Sequence, residues 1–463
     1  MNLVRPAASA HTHPGRSFQD PAATAGFQAV MRSAIEHKRE AQLQVPWAQL
    51  RAQAHRLKAE AIGDLDRLLV HFEREFSARG GTVLWAPSAR DAVEHVLAIC
   101  RRHGVSTLVK GKSMISEEID LNDALQASGI EAVETDLGEF IIALACDQPS
   151  HITAPALHLS RGDIGELFAR KLGIPYSDDP HVLMTAARDR LRETLLRAQA
   201  GLTGVNFAVA DTGTIVVVEN EGNGGLSATL PPVHISLMGI EKIIARLADL
   251  PVFLQLLARA ATGQKLTSYT HHFLGPEEGR KAYCVVIDAG RSEVLADPKT
   301  RESLYCIRCG ACLNVCPVYR RAGGAAYRSV YAGPIGSVIT AQLSGHRHGA
   351  ELPFVSTLCG ACQEECPVNI DLPHQLVHMR SRLAPDARDG RKGKAIGAAA
   401  FLMQGRMTYA LASALVRVAL RLAPACRPLL PFLSGWTRER ALPALPKQSF
   451  KAWWKSRERE RPR

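Results

Sequence analysis

Seven cysteines between residues 306 and 366 are the side chains of this chain best suited to do chemistry. The first four read Cys306-Ile-Arg-Cys309-Gly-Ala-Cys312-Leu-Asn-Val-Cys316-Pro317, and the last three read Cys359-Gly-Ala-Cys362-Gln-Glu-Glu-Cys366-Pro367. The first block has the spacing of a bacterial-type ferredoxin, in which the fourth thiolate of a run serves the other cluster. A cubane cluster needs soft anionic thiolates converging on its iron corners. Three cysteines two residues apart wrap a tight loop around one cube. Gly310 and Gly360 leave room for backbone N–H groups to approach the sulfides, and Pro317 and Pro367 turn the chain away. On the crossed rule Cys306, Cys309, Cys312 and Cys366 hold one cluster, and Cys316, Cys359 and Cys362 begin a second. Paired Cys-x-x-Cys also binds structural zinc, but zinc does not need the further cysteines at these intervals with proline after each block.

The second block departs from the rule, because the position three residues before Cys359 is Ser356. A serine hydroxyl is a poor iron ligand unless deprotonated. Three outcomes are open: a four-iron cluster completed by Ser356, one with water or another ligand on the open corner, or a three-iron cluster. The reading adopted is two [4Fe–4S] clusters, the second with three cysteine ligands and an unusual fourth.

These loops need a scaffold. At 463 residues the length suggests two to four domains. Residues 1–20 are polar and hold no apolar run of a secretory signal. No apolar stretch is long enough to span a bilayer. Clusters and reduced thiols point to the cytoplasm. The remaining cysteines, Cys100, Cys146, Cys284 and Cys426, sit among apolar neighbours and read as small buried hydrophobes. From residue 376 onward nineteen Lys/Arg face five Asp/Glu, a local +14 within a total of +11, so the rest carries about −3. Such a basic tail is either a solvated surface or a docking face for an acidic partner or anionic lipid. Nothing in the chain reads as a nucleic-acid recognition motif.

Residues 22–76 read as long helices, with Ala48 to Phe76 running until Gly80-Gly81. Thr82 to Trp85 and Val105 to Val109 read as strands on either side of a helix from Ala89 to Arg102, which implies a parallel pair and an α/β domain. A helix from Asp179-Pro180 to about Gly201 follows. Asn206–Asp211 and Thr214–Asn220 form a hairpin. The loop Glu221-Gly-Asn-Gly-Gly225 lacks the full dinucleotide pattern and reads as a turn at a pocket. Ala282 to Ile287 is a last strand, and Asp297-Pro298-Lys299 marks a linker. The gap between Cys316 and Cys359, with Tyr327, Tyr331 and a Gly333-Pro334-Ile335-Gly336 turn, suits helical insertions around the clusters. Residues 395–424 are apolar and helix-prone, with Arg406, Arg417 and Arg421 on one face. That pattern suits packing within the chain first, and a partner or a membrane surface otherwise. The tail holds Trp453-Trp454.

Several stretches together resemble one family: Lys112-Ser-Met-Ile-Ser-Glu-Glu-Ile119, Glu134-Thr-Asp-Leu-Gly-Glu139, Pro149-Ser-His-Ile152, Val205-Asn-Phe, Glu221-Gly-Asn223 and His234-Ile-Ser-Leu-Met-Gly-Ile-Glu-Lys242. With the cysteine blocks and Trp453-Trp454, the chain is similar to the iron–sulfur B subunits of the bacterial lactate-utilization system. After the N-terminal helical region (1–78), the resemblance implies a lactate-utilization α/β domain of the sugar-phosphate-isomerase or CoA-transferase-like type (79–300). A mainly α-helical two-cluster ferredoxin domain (301–375) and a helical basic C-terminal segment (376–463) would follow. It also implies work with two companion proteins in oxidising L-lactate to pyruvate. On this reading the chain relays electrons from a companion through its clusters. An alternative lets the α/β domain bind or oxidise a hydroxy acid, with His151, His158 or His234 at the hydroxyl and Lys110, Lys112 or Lys242 at the carboxylate. A redox-sensing or scaffold role is the third.

Overall fold

The computed structural model describes residues 21–147, 149–152, 154–343, 349–387, 391–426 and 446–460. Residues 1–20, read above for a signal, lie outside these, as do the side chains of Arg421 and Cys426. The chain forms two compact units, one ending at Leu383 and one beginning at Ala384.

Ten strands build the first unit's α/β body: β1 Thr82–Ala86, β2 Thr107–Lys110, β3 Glu131–Glu134, β4 Ala200–Gly204, β5 Phe207–Val209, β6 Thr214–Glu219, β7 Val233–Gly239, β8 Ile243–Ile244, β9 Tyr269–Phe273 and β10 Lys281–Ile287. Six of them make a parallel sheet in the order β1-β10-β7-β4-β2-β3. Its central strands are short apolar runs buried along nearly their whole length, as parallel strands covered on both faces must be. One cover is the helix Asn223–Thr229, which lies on β4 so closely that a Cβ at Gly201 would sit 1.6 Å from the Ser227 carbonyl oxygen. The other four strands form a second sheet, β8-β5-β6-β9, containing the expected hairpin, with Val209 opposite Thr214.

Several expectations need correction. β1 and β2 are parallel but not a pair, since β10, β7 and β4 lie between them; a short βαβ joint specifies direction, and the neighbours come from distant sequence. The helix after Asp179 ends at Arg197, because the chain must enter β4 at Ala200. The helix read as Ala48 to Phe76 breaks at Asp64 into Trp47–Gly63 and Leu65–Ala78. Gly333-Pro334 opens a helix, Gly333–Leu343, rather than making a turn, in keeping with the tolerance of a first helical turn for proline. Cys146 is exposed at a helix end, while Cys100 and Cys284 are buried.

From Arg301 to Ala387 the described chain is helical or irregular. Asp297 is not a loose linker: His378 and Arg382 of the helix Leu372–Ala387 both pair with its Oδ2, at 3.1 and 2.9 Å. A single apolar core runs from Phe27 and Phe72 through Phe207 and Phe253 of the α/β body to Leu313, Ile335 and the cysteine loops.

In the second unit the stretch 395–424 is two paired helices, Arg391–Gln404 and Arg406–Cys426, broken at Gly405. Among the described residues of this unit Phe401, Met403, Met407, Leu411 and Leu415 are exposed. Among the described residues no helix is long and apolar enough to cross a membrane.

Candidate functional site

The cysteine loops are built twice on one plan. In the first, Arg308 has φ 60°, Gly310 has φ 77°, and Arg308 N–H donates to Cys306 Sγ at 3.4 Å. In the second, Leu358 has φ 53°, Gly360 has φ 87°, and Leu358 N–H donates to Ser356 Oγ at 3.2 Å. Ser356 thus stands where the first loop has Cys306, with its hydroxyl oxygen accepting the same backbone bond. The left-handed conformation turns successive N–H groups inward, which costs a side-chain-bearing residue more than glycine. Both loops accept that cost at the same position.

Across the fold the thiols separate into two groups. Cys306, Cys309, Cys312 and Cys366 line one largely apolar cavity with Ile307, Leu313, Ile335 and Val368. Burial, and then the neighbouring thiols, pushes Cys309 up to about 12 and Cys312 well above its ordinary value. Cys366 is raised to about 11, again chiefly by burial. The second group is Cys362 with Cys316 and Cys359: burial raises Cys362 to about 12, and these two cysteines add to the effect. Cys359 is exposed, and N–H and hydroxyl donors from Ala361 and Thr357 lower it.

This arrangement fits an iron–sulfur cluster. Burial favours the protonated thiols of Cys309, Cys312 and Cys366, so binding of a cluster would release protons. Backbone N–H groups reach the sulfurs of Cys306 (from Arg308) and Cys366 (from Ile370, 3.4 Å), the hydrogen bonding that tunes thiolate clusters. Among the described residues no three His, Cys, Asp or Glu groups are placed to hold a single metal ion. The four thiols share the wall of one cavity.

Helices far away in sequence hold the loops. Arg51, on the helix Trp47–Gly63, donates from Nε to the Cys366 carbonyl (2.8 Å) and from Nη2 to that of Gln363 (3.0 Å). His55 of the same helix meets the Val368 carbonyl at 3.0 Å, and Lys38 pairs with Glu365.

A second cavity, about 300 Å³, opens at the carboxyl ends of β2, β4 and β7, where Gly111–Met114, Thr203–Asn206 and Gly239 line it. Ile152, Arg308 and Tyr331 belong to its wall and to that of the four-cysteine cavity alike. Behind them lies a buried charge network. Arg291 donates to Glu241 (2.7 Å) and to both oxygens of Glu118 (2.8 and 2.7 Å), and Tyr331 Oη donates to Glu118 at 2.5 Å. Burial alone would raise Glu241, but Arg291, Lys242 and Arg308 hold it down to about 2.

The histidines expected at a substrate hydroxyl lie elsewhere. His151 is buried, donating from Nε2 to Asn314 Oδ1 at 2.9 Å; burial lowers it to about 4. His158 pairs with Asp147 (3.1 Å), and His234 bonds Thr203 Oγ1 (2.8 Å). None of the three lines the second cavity. Lys110 is consumed by Glu134 (2.6 Å), whereas Lys112, tied to Glu139, and Lys242 do line it. The glycine-rich loop reaches the cavity through Glu221 and Asn223, but Gly224 and Gly225 spend their N–H groups on the Glu219 carboxylate (2.7 Å each), so no phosphate cradle is left there. Sequence reasoning missed Arg291, Glu118 and Arg51, whose partners lie 50 or more residues away.

Comparison with known proteins finds matches to three segments of the chain. Residues 69–289 match the LUD domain, 302–370 a 4Fe–4S dicluster domain, and 378–459 the C-terminal domain of lactate utilisation protein B. Lactate utilization protein B of Oceanobacillus iheyensis is 40% identical over 429 residues, covering 89% of this chain and 88% of that one. Lactate utilization protein B 2 of Bacillus mycoides is 40% identical over 430 residues and 89% of each. The chain belongs to the lactate utilization protein B family. A solved DUF162-family protein from Deinococcus radiodurans aligns with 48% of this chain and 98% of its own, at 15% identity and TM-score 0.28. In this family member the larger cavity is walled by both the LUD and the dicluster segments: Lys112, Asn206 and Lys242 come from the first, Arg308 and Tyr331 from the second.

Proposed function

We propose that the chain is the iron–sulfur electron-transfer subunit of a multi-protein system that oxidises L-lactate to pyruvate with two companion proteins. The observation that carries this reading is the sorting of seven cysteines into four around one largely apolar cavity and a group of three that reaches the surface. Cys306, Cys309, Cys312 and Cys366 would hold one [4Fe–4S] cluster; Cys316, Cys359 and Cys362 would hold a second, with Ser356 at its fourth position. Clusters of this kind, when bound, take up and release single electrons, so two match the two electrons of a hydroxy-acid oxidation.

The residues divide the work. Ile307, Leu313, Ile335 and Val368 exclude water from the four-cysteine cavity. Arg308 and the buried Lys58 would offset thiolate charge at Cys306. Cys359, exposed and with its pKa lowered by hydrogen bonds from Ala361 and Thr357, offers a redox partner a point of close approach. The basic C-terminal segment gives an acidic partner or an anionic membrane surface a docking face.

Anaerobic purification with iron and sulfide analysis and paramagnetic spectra tests the ligand assignment. Two four-iron clusters are expected, and colourless or zinc-loaded protein overturns it. The relay is tested by adding L-lactate with and without the companions. Reduction should require them, and rapid reduction of this chain alone would rule out a pure relay.

A further inference from the structure

The larger cavity occupies the place where a doubly wound sheet offers a ligand site. From β2 the chain moves outward to β3, and from β4 it moves the other way through β7 and β10. The winding therefore reverses between β2 and β4. Crevices at the carboxyl ends of strands beside such a reversal are where α/β sheets bind small molecules. The cavity's volume, about 300 Å³, suits a small metabolite.

Three donors in its wall are not consumed by the protein. Lys242 Nζ makes no hydrogen bond or ion pair among the described residues, whereas Lys112 and Arg291 are paired. Arg308 Nη1 is buried with no partner, although Nη2 lies 3.6 Å from Glu241. Asn206 accepts from Val218 N–H through Oδ1 (2.9 Å), while its Nδ2 donates to no described residue. Arg308 Nη1 is the buried one, and a buried donor without a partner is costly; Lys242 and Asn206 are half-buried and remain accessible from the cavity. Charge at Cys306 accounts for part of this positive cluster, but Lys242 and Asn206 line the larger cavity and not the cysteine cavity. Near the end of β3 the wall turns acidic, with Asp136 and Glu221, while Glu219 is spent on Gly224, Gly225 and His271. That side disfavours a second anionic group and accepts a hydroxyl proton.

We propose that this cavity binds a small 2-hydroxy- or 2-oxo-monocarboxylate, its carboxylate held by Lys242 Nζ and Asn206 Nδ2 beside the positive charge of the Arg308 guanidinium, and its oxygen-bearing carbon directed toward the acidic side. The ligand then lies against Arg308 and Tyr331, the wall shared with the four-cysteine cavity. The choice of substrate class rests on the lactate reading; the existence of an anion site rests on Lys242, Asn206 and Arg308 alone.

Isothermal titration of the anaerobically purified full-length chain decides it, using L-lactate, pyruvate, malate and inorganic phosphate in separate runs. Saturable binding of lactate or pyruvate is expected, with malate and phosphate weaker. Lys242→Met should weaken binding about tenfold or more, as should Asn206→Asp, which keeps the acceptor for Val218 N–H and replaces the donor with an anion. Both variants should retain the parent's iron content, and either one suffices if the other does not fold. Absence of monocarboxylate binding, tighter binding of malate or phosphate, or unaltered affinity in a folded variant overturns the proposal. The relay reading fails separately, through missing iron or through clusters that stay oxidised with lactate and the companions present.

Discussion

The guanidinium of Arg308 lies 4.5 Å from the ring centroid of Tyr331, and together these two side chains form a wall common to the four-cysteine cavity and the larger cavity. A cation over an aromatic face is stabilised by the ring quadrupole. Here the ring is also anchored by its hydroxyl to Glu118, itself clamped by Arg291.

Removing Arg291 should be severe. Its side chain is 1% exposed and is the ion-pair partner of both Glu118 and Glu241. Arg291→Met leaves two carboxylates in a nearly dry network, and loss of one partner of a buried pair costs about 3–5 kcal/mol. Chemical denaturation followed by circular dichroism should show this loss. A change under about 1 kcal/mol would mean that water already reaches the network.

Ser356 is a direct test of the second metal site. If its hydroxyl stands at the ligand position, Ser356→Cys should alter the paramagnetic spectrum of one cluster only and slow its loss in air. Ser356→Ala should push the same site toward a three-iron signal. Spectra identical to the parent in both variants would remove Ser356 from the site.

The N-terminal helix should matter to cluster retention. Arg51→Ala removes its bonds to the Cys366 and Gln363 carbonyls, each charge-assisted bond being worth about 1.5–3 kcal/mol. Faster iron release to a chelator is expected, most strongly for the cluster served by Cys366. Parent-like release would show that the loop holds its shape without the helix.

Acid should destabilise the fold through two histidines. Burial lowers His151 and His234 to about 4 from an ordinary 6.5. Between these values the unfolded chain binds more protons than the folded one, so stability rises with pH across that window and falls as pH drops from 6.5 toward 4. Each shift corresponds to about 3 kcal/mol by pH 4. Denaturation midpoints measured from pH 7 to pH 4 should fall, and His234→Gln should flatten the slope. An unchanged slope in that variant would place the acid sensitivity elsewhere.

The two cysteine loops were legible from the sequence because they are local objects. Their ligands sit two or three residues apart, and glycine and proline punctuate them in a way other uses of cysteine do not require. The second loop's departure at Ser356 was equally visible, being a matter of spacing. Strand and helix identities along 82–110 and 206–220 followed from apolar periodicity, which is also local.

What the chain of residues by itself determined, then, was the cysteine spacing, the helical setting of the loops and the α/β alternation, since each rests on interactions between near neighbours. Tertiary structure alone decided that β10, β7 and β4 separate β1 from β2, and that His151 is a buried joint with Asn314 rather than a base. It alone left Lys242 and Asn206 unspent beside Arg308, while Lys110 and Lys112 were consumed by glutamates. Those outcomes depend on which distant groups burial forces together, and a buried charge either finds its partner there or keeps a place for a ligand.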